Sequence, residues 1–210
     1  MKPTTKQRIL DAALKRFNED GYVHVRLHQI AEEAEMSVGN MAYHYPHKHL
    51  ILEAIYEQLR NAQEELLTAL NHTPVFETFD YFTRQSFALQ RQYRFFYQDT
   101  LELMRESEAL KASHQEFIQL QELQLEVFLS FNEARGALDW GTNVGPLCRR
   151  ARQLRRSMDS WMYLQIVEGR DPGNPEAFCR YAWRPIEPFL SPTGKEEFAR
   201  LAPKGLVVGS

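Results

Sequence analysis

The chain has 210 residues, 43% hydrophobic and 25% charged, with a formal net charge of −3. That length holds one large domain, or one small and one medium domain, with a sizeable core. The balance excludes a polycation, so any nucleic-acid binding has to come from a local surface. Two cysteines, Cys148 and Cys179, share no short metal-ligand spacing and are expected to be reduced, inert thiols. Met1 to Gln7 carries no apolar run, and no stretch approaches the ~18 apolar residues of a membrane span. A chain without a signal peptide, residing in the cytoplasm, is expected.

Apolar spacing is helical almost throughout, with no sustained strand alternation. The first helix opens with Thr4 and Gln7, a capping-box pattern, and aligns Ile9, Ala13 and Phe17 on one face. Gly21 suits its C-terminal cap. Leu27, Ile30, Ala31 and Ala34 mark a short second helix. Ser37 is a good N-cap for a short third one ending near Tyr45, before Pro46. A long amphipathic helix follows, carrying Leu50, Ile51, Ala54, Ile55, Leu59, Ala62, Leu66 and Leu70, and ends at His72-Thr73-Pro74. Aromatic-rich helices come next, through Phe76–Leu89, Tyr93–Met104 and Phe117–Phe131. Gly136 to Pro146 is the clearest linker. Arg149–Val167 and Pro175–Leu190 read as two further helices, the second kinked or broken by Pro185 and Pro188, and a last one lies near Lys195–Leu201. The tail, 205–210, has no helical pattern.

Three short helices with a tight second turn suggest a helix-turn-helix, whose last helix enters the major groove. Residues 37–45 fit. Met41 and Tyr45 are four apart and pack inward together, leaving Ser37, Val38, Gly39, Asn40, Tyr43 and His44 for DNA. Gly39 permits close backbone approach. Asn40 can pair with adenine or reach a phosphate; Tyr43 and His44 can donate to phosphates, and Lys48 adds charge. Seven Lys/Arg stand against six Asp/Glu in residues 1–48, so helix N-termini and a second copy have to supply the rest of the attraction.

Ile30-Ala31-Glu32-Glu33-Ala34, Met36-Ser37-Val38-Gly39-Asn40-Met41 and Tyr43-His44-Tyr45-Pro46-His47-Lys48-His49-Leu50 together resemble the DNA-binding domain of the tetracycline-repressor (TetR) family. The resemblance is specific over residues 5–60 and architectural beyond. It implies an all-α fold, with a DNA-binding unit at 1–45 and a helical effector-binding and dimerisation domain at 46–204. It implies DNA contacts from Ser37, Gly39, Asn40, Tyr43, His44 and Lys48, with His28 and Gln29 on the preceding helix. It also implies a dimeric four-helix bundle built from Arg149–Val167 and Pro175–Leu190. Three residues depart from the family pattern. Arg26 stands where a capping Thr or Ser is usual, and can instead clamp a phosphate. Glu35 stands where a turn Gly is usual, and Ala42 replaces a common Tyr.

Other features have plainer readings. His44, His47 and His49 with Glu53 could hold a metal, but DNA contact, capping and solvation account for them; no metal and no cofactor are expected. The basic run Arg149, Arg150, Arg152, Arg155 and Arg156 reads as a solvated helix face pairing with nearby acids. Among the aromatic helices, Tyr93, Phe96, Met104, Phe128 and Trp161 are the candidate ligand contacts, against a background of core packing. No nucleophile motif or phosphate loop points to an enzyme. The expected function is a homodimeric repressor that binds a pseudo-palindromic operator and is released by a small molecule. The rival is a ligand-binding helical dimer whose degenerate helix-turn-helix gives no DNA output.

Overall fold

A computed structural model describes residues 3–141 and 145–201; the tail 205–210 lies outside the described residues. Among the described residues the chain is all-α, with ten α-helices. They are α1 (Thr5–Asp20), α2 (Leu27–Glu33), α3 (Val38–His44), α4 (Lys48–His72), α5 (Phe76–Gln92), α6 (Arg94–Glu106), α7 (Glu108–Ala134), α8 (Leu147–Val167), α9 (Pro175–Trp183) and α10 (Pro192–Leu201). None of the described helices is long and apolar enough to cross a membrane.

The chain divides into two compact units. Unit 1 comprises residues 1–63 and 89–117, and unit 2 comprises 64–88 and 118–210. The unit that contains α1–α3 therefore also holds the first part of α4, all of α6 and the start of α7.

Unit 1 forms around an apolar set drawn from several helices. Ile9, Ala13, Phe17, Tyr22, Val25, Ile30, Ala31 and Met41 are buried. The Phe17 ring meets Tyr22 at 5.1 Å and Phe95 of α6 at 5.3 Å. Asn18 fixes the same junction. Its side-chain oxygen accepts from the Phe95 N–H at 3.1 Å, an orphan donor of the first turn of α6, and its NH2 donates to the Gln92 carbonyl at 2.8 Å. Further along, Tyr56 stacks on Phe96 at 5.2 Å and its hydroxyl bonds His114 Nδ1 at 3.1 Å.

Unit 2 packs rings of α5, α7 and α9. Phe79 lies 4.6 Å from Phe128 and 4.9 Å from Trp183. Trp161 of α8 packs edge-on to Phe178 at 5.9 Å. Asn132 is buried and donates to the Pro74 and Phe128 carbonyls, and Arg135 grips Glu197 of α10 with two bonds of 2.7 Å. The 175–190 segment is not one helix. It ends as α9 at Trp183 and resumes as a single 3-10 turn, Glu187–Phe189, because the prolines at 185 and 188 lack the N–H that would continue it. The last helix begins at Pro192, three residues ahead of the start read from sequence.

The cysteines separate. Cys179 is buried, whereas Cys148 is exposed, so inertness by burial does not extend to Cys148.

Candidate nucleic-acid interface

The local sequence builds the interface through three caps. Thr4 Oγ1 accepts from the Gln7 N–H at 3.2 Å and starts α1. The reciprocal half of that capping box is absent: the Gln7 amide donates to Asp11 at 2.7 Å and accepts from Gln58 at 3.1 Å instead. Gly21 ends α1 at φ +77°, and its N–H reaches the Phe17 carbonyl. Its ψ of 147° lies outside the left-handed helical basin, in a region open to glycine.

Arg26 precedes α2 and has no acceptor with which to cap it. Gln29 does part of that work from the other side, accepting the Arg26 N–H at 2.7 Å. The turn after α2 is a Schellman closure: Met36 N–H bonds the Ala31 carbonyl at 2.9 Å and Glu35 N–H bonds the Glu32 carbonyl at 3.0 Å. Its pivot is Glu35 at φ +53°, a conformation that costs a non-glycine residue on the order of 1 kcal/mol. Arg8 braces the turn by donating to the Ala34 carbonyl at 2.5 Å. The unusual residues at 26 and 35 therefore leave the helix-turn-helix intact.

Ser37 caps α3 by accepting the Asn40 N–H at 3.2 Å. Met41 is fully buried and Tyr45 half-buried, which anchors the inner face of α3. The outer face presents Ser37, Val38, Gly39, Asn40 and Tyr43, all exposed; Tyr43 is 85% exposed. His44 is half-buried, edge-on to the Tyr43 ring at 5.3 Å. No atom lies within 4 Å of where a Cβ on Gly39 would stand, so nothing inside the protein requires glycine there. Arg26 and His28 are exposed on the neighbouring helix entry, and Gln29 is half-buried with its oxygen engaged.

Lys48 is placed differently from the other candidates. Its ammonium donates to the Tyr22 and Val25 carbonyls and lies over the Tyr22 ring. Burial pushes its pKa down, opposed by the Glu106 carboxylate and reinforced by Arg26. Two of its three donors are thus committed within unit 1. Lys15 and Arg16 are likewise engaged, with Glu33 at 2.6 Å and Asp20 at 2.9 Å.

The remaining candidates are dispersed. His47 and His49 stack at 5.4 Å, and among the described residues no group of three or more His, Cys, Asp or Glu is placed to hold a metal ion. Arg152 and Arg155 converge on Glu122 at 3.1 Å, Arg155 also meets Asp159 at 2.6 Å, and Arg150 lies over the rings of Trp140 and Phe189. Tyr93, Phe96 and Met104 belong to unit 1, and Phe128 and Trp161 to unit 2. Within unit 2 the last two sit among different rings, Phe128 with Phe76 and Phe79, and Trp161 with Phe178 and Tyr181.

Family models match both parts of the chain. Residues 9–55 match the bacterial regulatory proteins of the tetR family, and residues 53–198 match the TetR bacterial transcriptional repressor model. The chain belongs to the TetR family of bacterial transcriptional regulators.

As a TetR-family protein it is a DNA-binding regulator of the repressor type, and the family is one of regulators, not enzymes. It is 34% identical over 76 residues to an uncharacterised helix-turn-helix regulator encoded in the dhlA 5′ region of Xanthobacter autotrophicus. That match spans 36% of this chain and about a third of the relative's length, 37%. The fold is shared with a TetR-family regulator from Marinobacter aquaeolei VT8, with a TM-score of 0.82 at 18% identity over 96% of this chain and 100% of that one. It is also shared with SmeT, the repressor of the Stenotrophomonas maltophilia multidrug efflux pump SmeDEF, with a TM-score of 0.65 at 19% identity over 98% and 96% of the two chains. NalD, the secondary repressor of the MexAB-OprM pump in Pseudomonas aeruginosa, aligns with a TM-score of 0.60 at 22% identity over 87% and 95%.

Proposed function

We propose that this regulator acts in the cytoplasm as a homodimeric repressor, binding a pseudo-palindromic operator and leaving it when a small ligand binds. The observation that carries the reading is the outer face of α3. Its polar residues Ser37, Asn40 and Tyr43 are exposed while Met41 anchors the opposite face. Asn40 reads a base edge or a phosphate, and Tyr43, Ser37 and His44 position the helix on the backbone. Val38 offers an apolar contact for a thymine methyl, and Gly39 lets the backbone close on the groove. Arg26 and His28 reach flanking phosphates, and Gln29 holds Arg26 in place. Lys48 serves chiefly as the pin between α4 and the loop after α1.

SmeT is known in complex with triclosan, and small-molecule release is extended here to this chain. Of the ring candidates, Phe96 is taken here as the ligand contact because polar groups stand beside its ring. Tyr56, Tyr97 and His114 flank its ring, and Tyr97 accepts a hydrogen bond from Gln63 at 2.7 Å, giving apolar walls with a few polar groups. Tyr93 and Met104 belong to the same unit. Phe128 and Trp161 belong to unit 2, and burial does not separate them from Phe96 and Tyr93, since all four are buried. A ligand acts by binding the two arrangements of the DNA-binding helices with different affinity.

Titration of the protein against the DNA flanking its own gene and against a scrambled duplex, at two fixed salt concentrations, tests the reading. Preference for the native duplex, weakened in both Asn40→Ala and Tyr43→Ala, is expected. Loss of neither contact affecting binding would remove α3 from the interface. A folded dimer without preference for any duplex in a genome-wide selection would favour the ligand-binding module without DNA output.

A further inference from the structure

The helix-turn-helix is short of free permanent charge. Among its described cations, Arg8 donates to the Ala34 carbonyl, Lys15 pairs with Glu33, Arg16 pairs with Asp20, and Lys48 is held by the Tyr22 and Val25 carbonyls. Lys6 and Arg26 stand exposed. Against Arg26, on the side of α2 and α3, stand the exposed carboxylates Glu32 and Glu35. A surface that neutralises phosphates needs more positive charge than this.

Histidine is concentrated where that charge is missing. Of the seven histidines, five fall between residues 24 and 49. His28 is exposed on α2, half-buried His44 closes α3, and exposed His47 and half-buried His49 flank Lys48 at the start of α4. The rings of His47 and His49 stack at 5.4 Å, 10° from parallel. The fifth, His24, is set apart by its attraction to Asp99 of α6. Around the other four stand Arg26 and Glu32 on α2, Glu35 in the turn, Tyr43 on α3, Lys48 and Glu53 on α4, and Glu106 of α6, which acts on Lys48. Imidazole is the side chain that ordinarily changes charge between pH 5 and 8. A phosphate held against an imidazole favours the charged form, which offers two N–H donors where the neutral ring offers one. Stacked imidazolium rings repel each other, and an anion beside them offsets that repulsion. Proton binding and phosphate binding then assist each other.

We propose that His28, His44, His47 and His49 form a proton-dependent contact with DNA phosphates, so that this regulator takes up protons as it binds DNA and holds DNA more tightly as pH falls. The proposal rests on the DNA-binding reading above and adds His47 and His49 to its contacts. Phosphate contacts carry no sequence information, so the effect extends to any duplex.

Titration of the full chain against the duplex flanking its own gene and against a scrambled one, at one salt concentration and at about pH 6, 7 and 8, tests this. Circular dichroism at each pH establishes that the protein is folded. Affinity for both duplexes is expected to fall about tenfold or more from the lowest pH to the highest. The salt dependence should be steeper at the lowest pH, by about 0.9 in the logarithmic slope for each imidazolium on a phosphate. Replacing all four histidines with glutamine should remove most of the fall. His28→Gln with His47→Gln, both at exposed positions, replaces that variant if it folds poorly, and should remove part of the fall. His28→Arg with His47→Arg makes the charge permanent, and should bind more tightly than wild type at the highest pH and equally at the lowest. His72→Gln, in unit 2, should behave as wild type. Affinity independent of pH in the wild type, or a fall that the His28 and His47 variants leave intact, would overturn the proposal and leave the DNA-binding reading in place. No binding to either duplex at any of these pH values would overturn both.

Discussion

The ammonium of Lys48 lies 4.1 Å from the centroid of the Tyr22 ring and donates to the Tyr22 carbonyl at 2.9 Å and the Val25 carbonyl at 3.1 Å. One side chain at the start of α4 thus ties that helix to the loop that aims α2 and α3. A displacement of α4 has to move this loop or break three contacts. Lys48→Met keeps the aliphatic stem but strands two carbonyls. It is expected to cost about 1–2 kcal/mol, read as a lower melting temperature. The slope of DNA affinity against salt should stay close to wild type; a fall of about one would place Lys48 on a phosphate.

Asn18 performs a similar office where α1 meets α6. Asn18→Ala leaves the Phe95 N–H and the Gln92 carbonyl without their partner, while the Arg94 side chain still reaches the Asn18 carbonyl. Denaturant unfolding should show a loss of about 1–2 kcal/mol at unchanged m-value. An unaltered midpoint would mean that the Asn18 contacts contribute nothing net.

Asp99 interrupts helical geometry inside α6, at φ −114° and ψ 21°. Burial raises its pKa above the ordinary 3.8, with Glu102 adding to the rise and His24 opposing it. A carboxyl whose folded pKa is raised favours the folded state fully only below its unfolded pKa, and that contribution is lost as pH rises through the folded value. At neutral pH the ionised group is therefore a burden on the fold. Asp99→Asn should raise the melting temperature at neutral pH, and the gain should shrink as pH falls toward 3.8. A gain that grows on acidification would contradict this.

Glu35 places a carboxylate and a positive φ in the turn ahead of α3. Glu35→Gly removes both. Relief of strain of roughly 1 kcal/mol is offset by the greater freedom of glycine in the unfolded chain, so stability should change by less than about 1 kcal/mol. DNA affinity should rise severalfold as a negative charge leaves the neighbourhood of the phosphates. Unchanged affinity would place Glu35 away from DNA.

The DNA-binding helices were legible because their signals are local. Thr4, Gly21 and Ser37 mark helix ends by their own chemistry, and Met41 declares its inward face by spacing alone. Arg26 and Glu35 look like faults in a linear reading, because their remedies come from elsewhere. Gln29 accepts the Arg26 N–H, and Arg8, 26 residues before Ala34, braces the turn beside Glu35. Lys48 was read as charge added for DNA, and its partners inside the protein were hidden for the same reason: the carbonyls that bind it lie 23 and 26 residues away. Phe95 of α6 could not be assigned to the core of α1 from periodicity, which reports a face but never its partner. The four ring candidates and Met104 stay open for a different reason, since an apolar side chain in a core and one lining a pocket share the same spacing.

Gly39→Ala separates the role of α3 in DNA binding from its role in folding. With no atom within 4 Å of the added methyl, the substitution should leave the fold intact and stabilise α3 by about 0.5–1 kcal/mol. Melting and operator titration of the same preparation, at one salt concentration, form the decisive measurement. A melting temperature equal to or above wild type is expected together with operator affinity reduced about tenfold or more, by steric exclusion from the groove. Full operator affinity in Gly39→Ala would contradict the claim that this face of α3 closes on DNA.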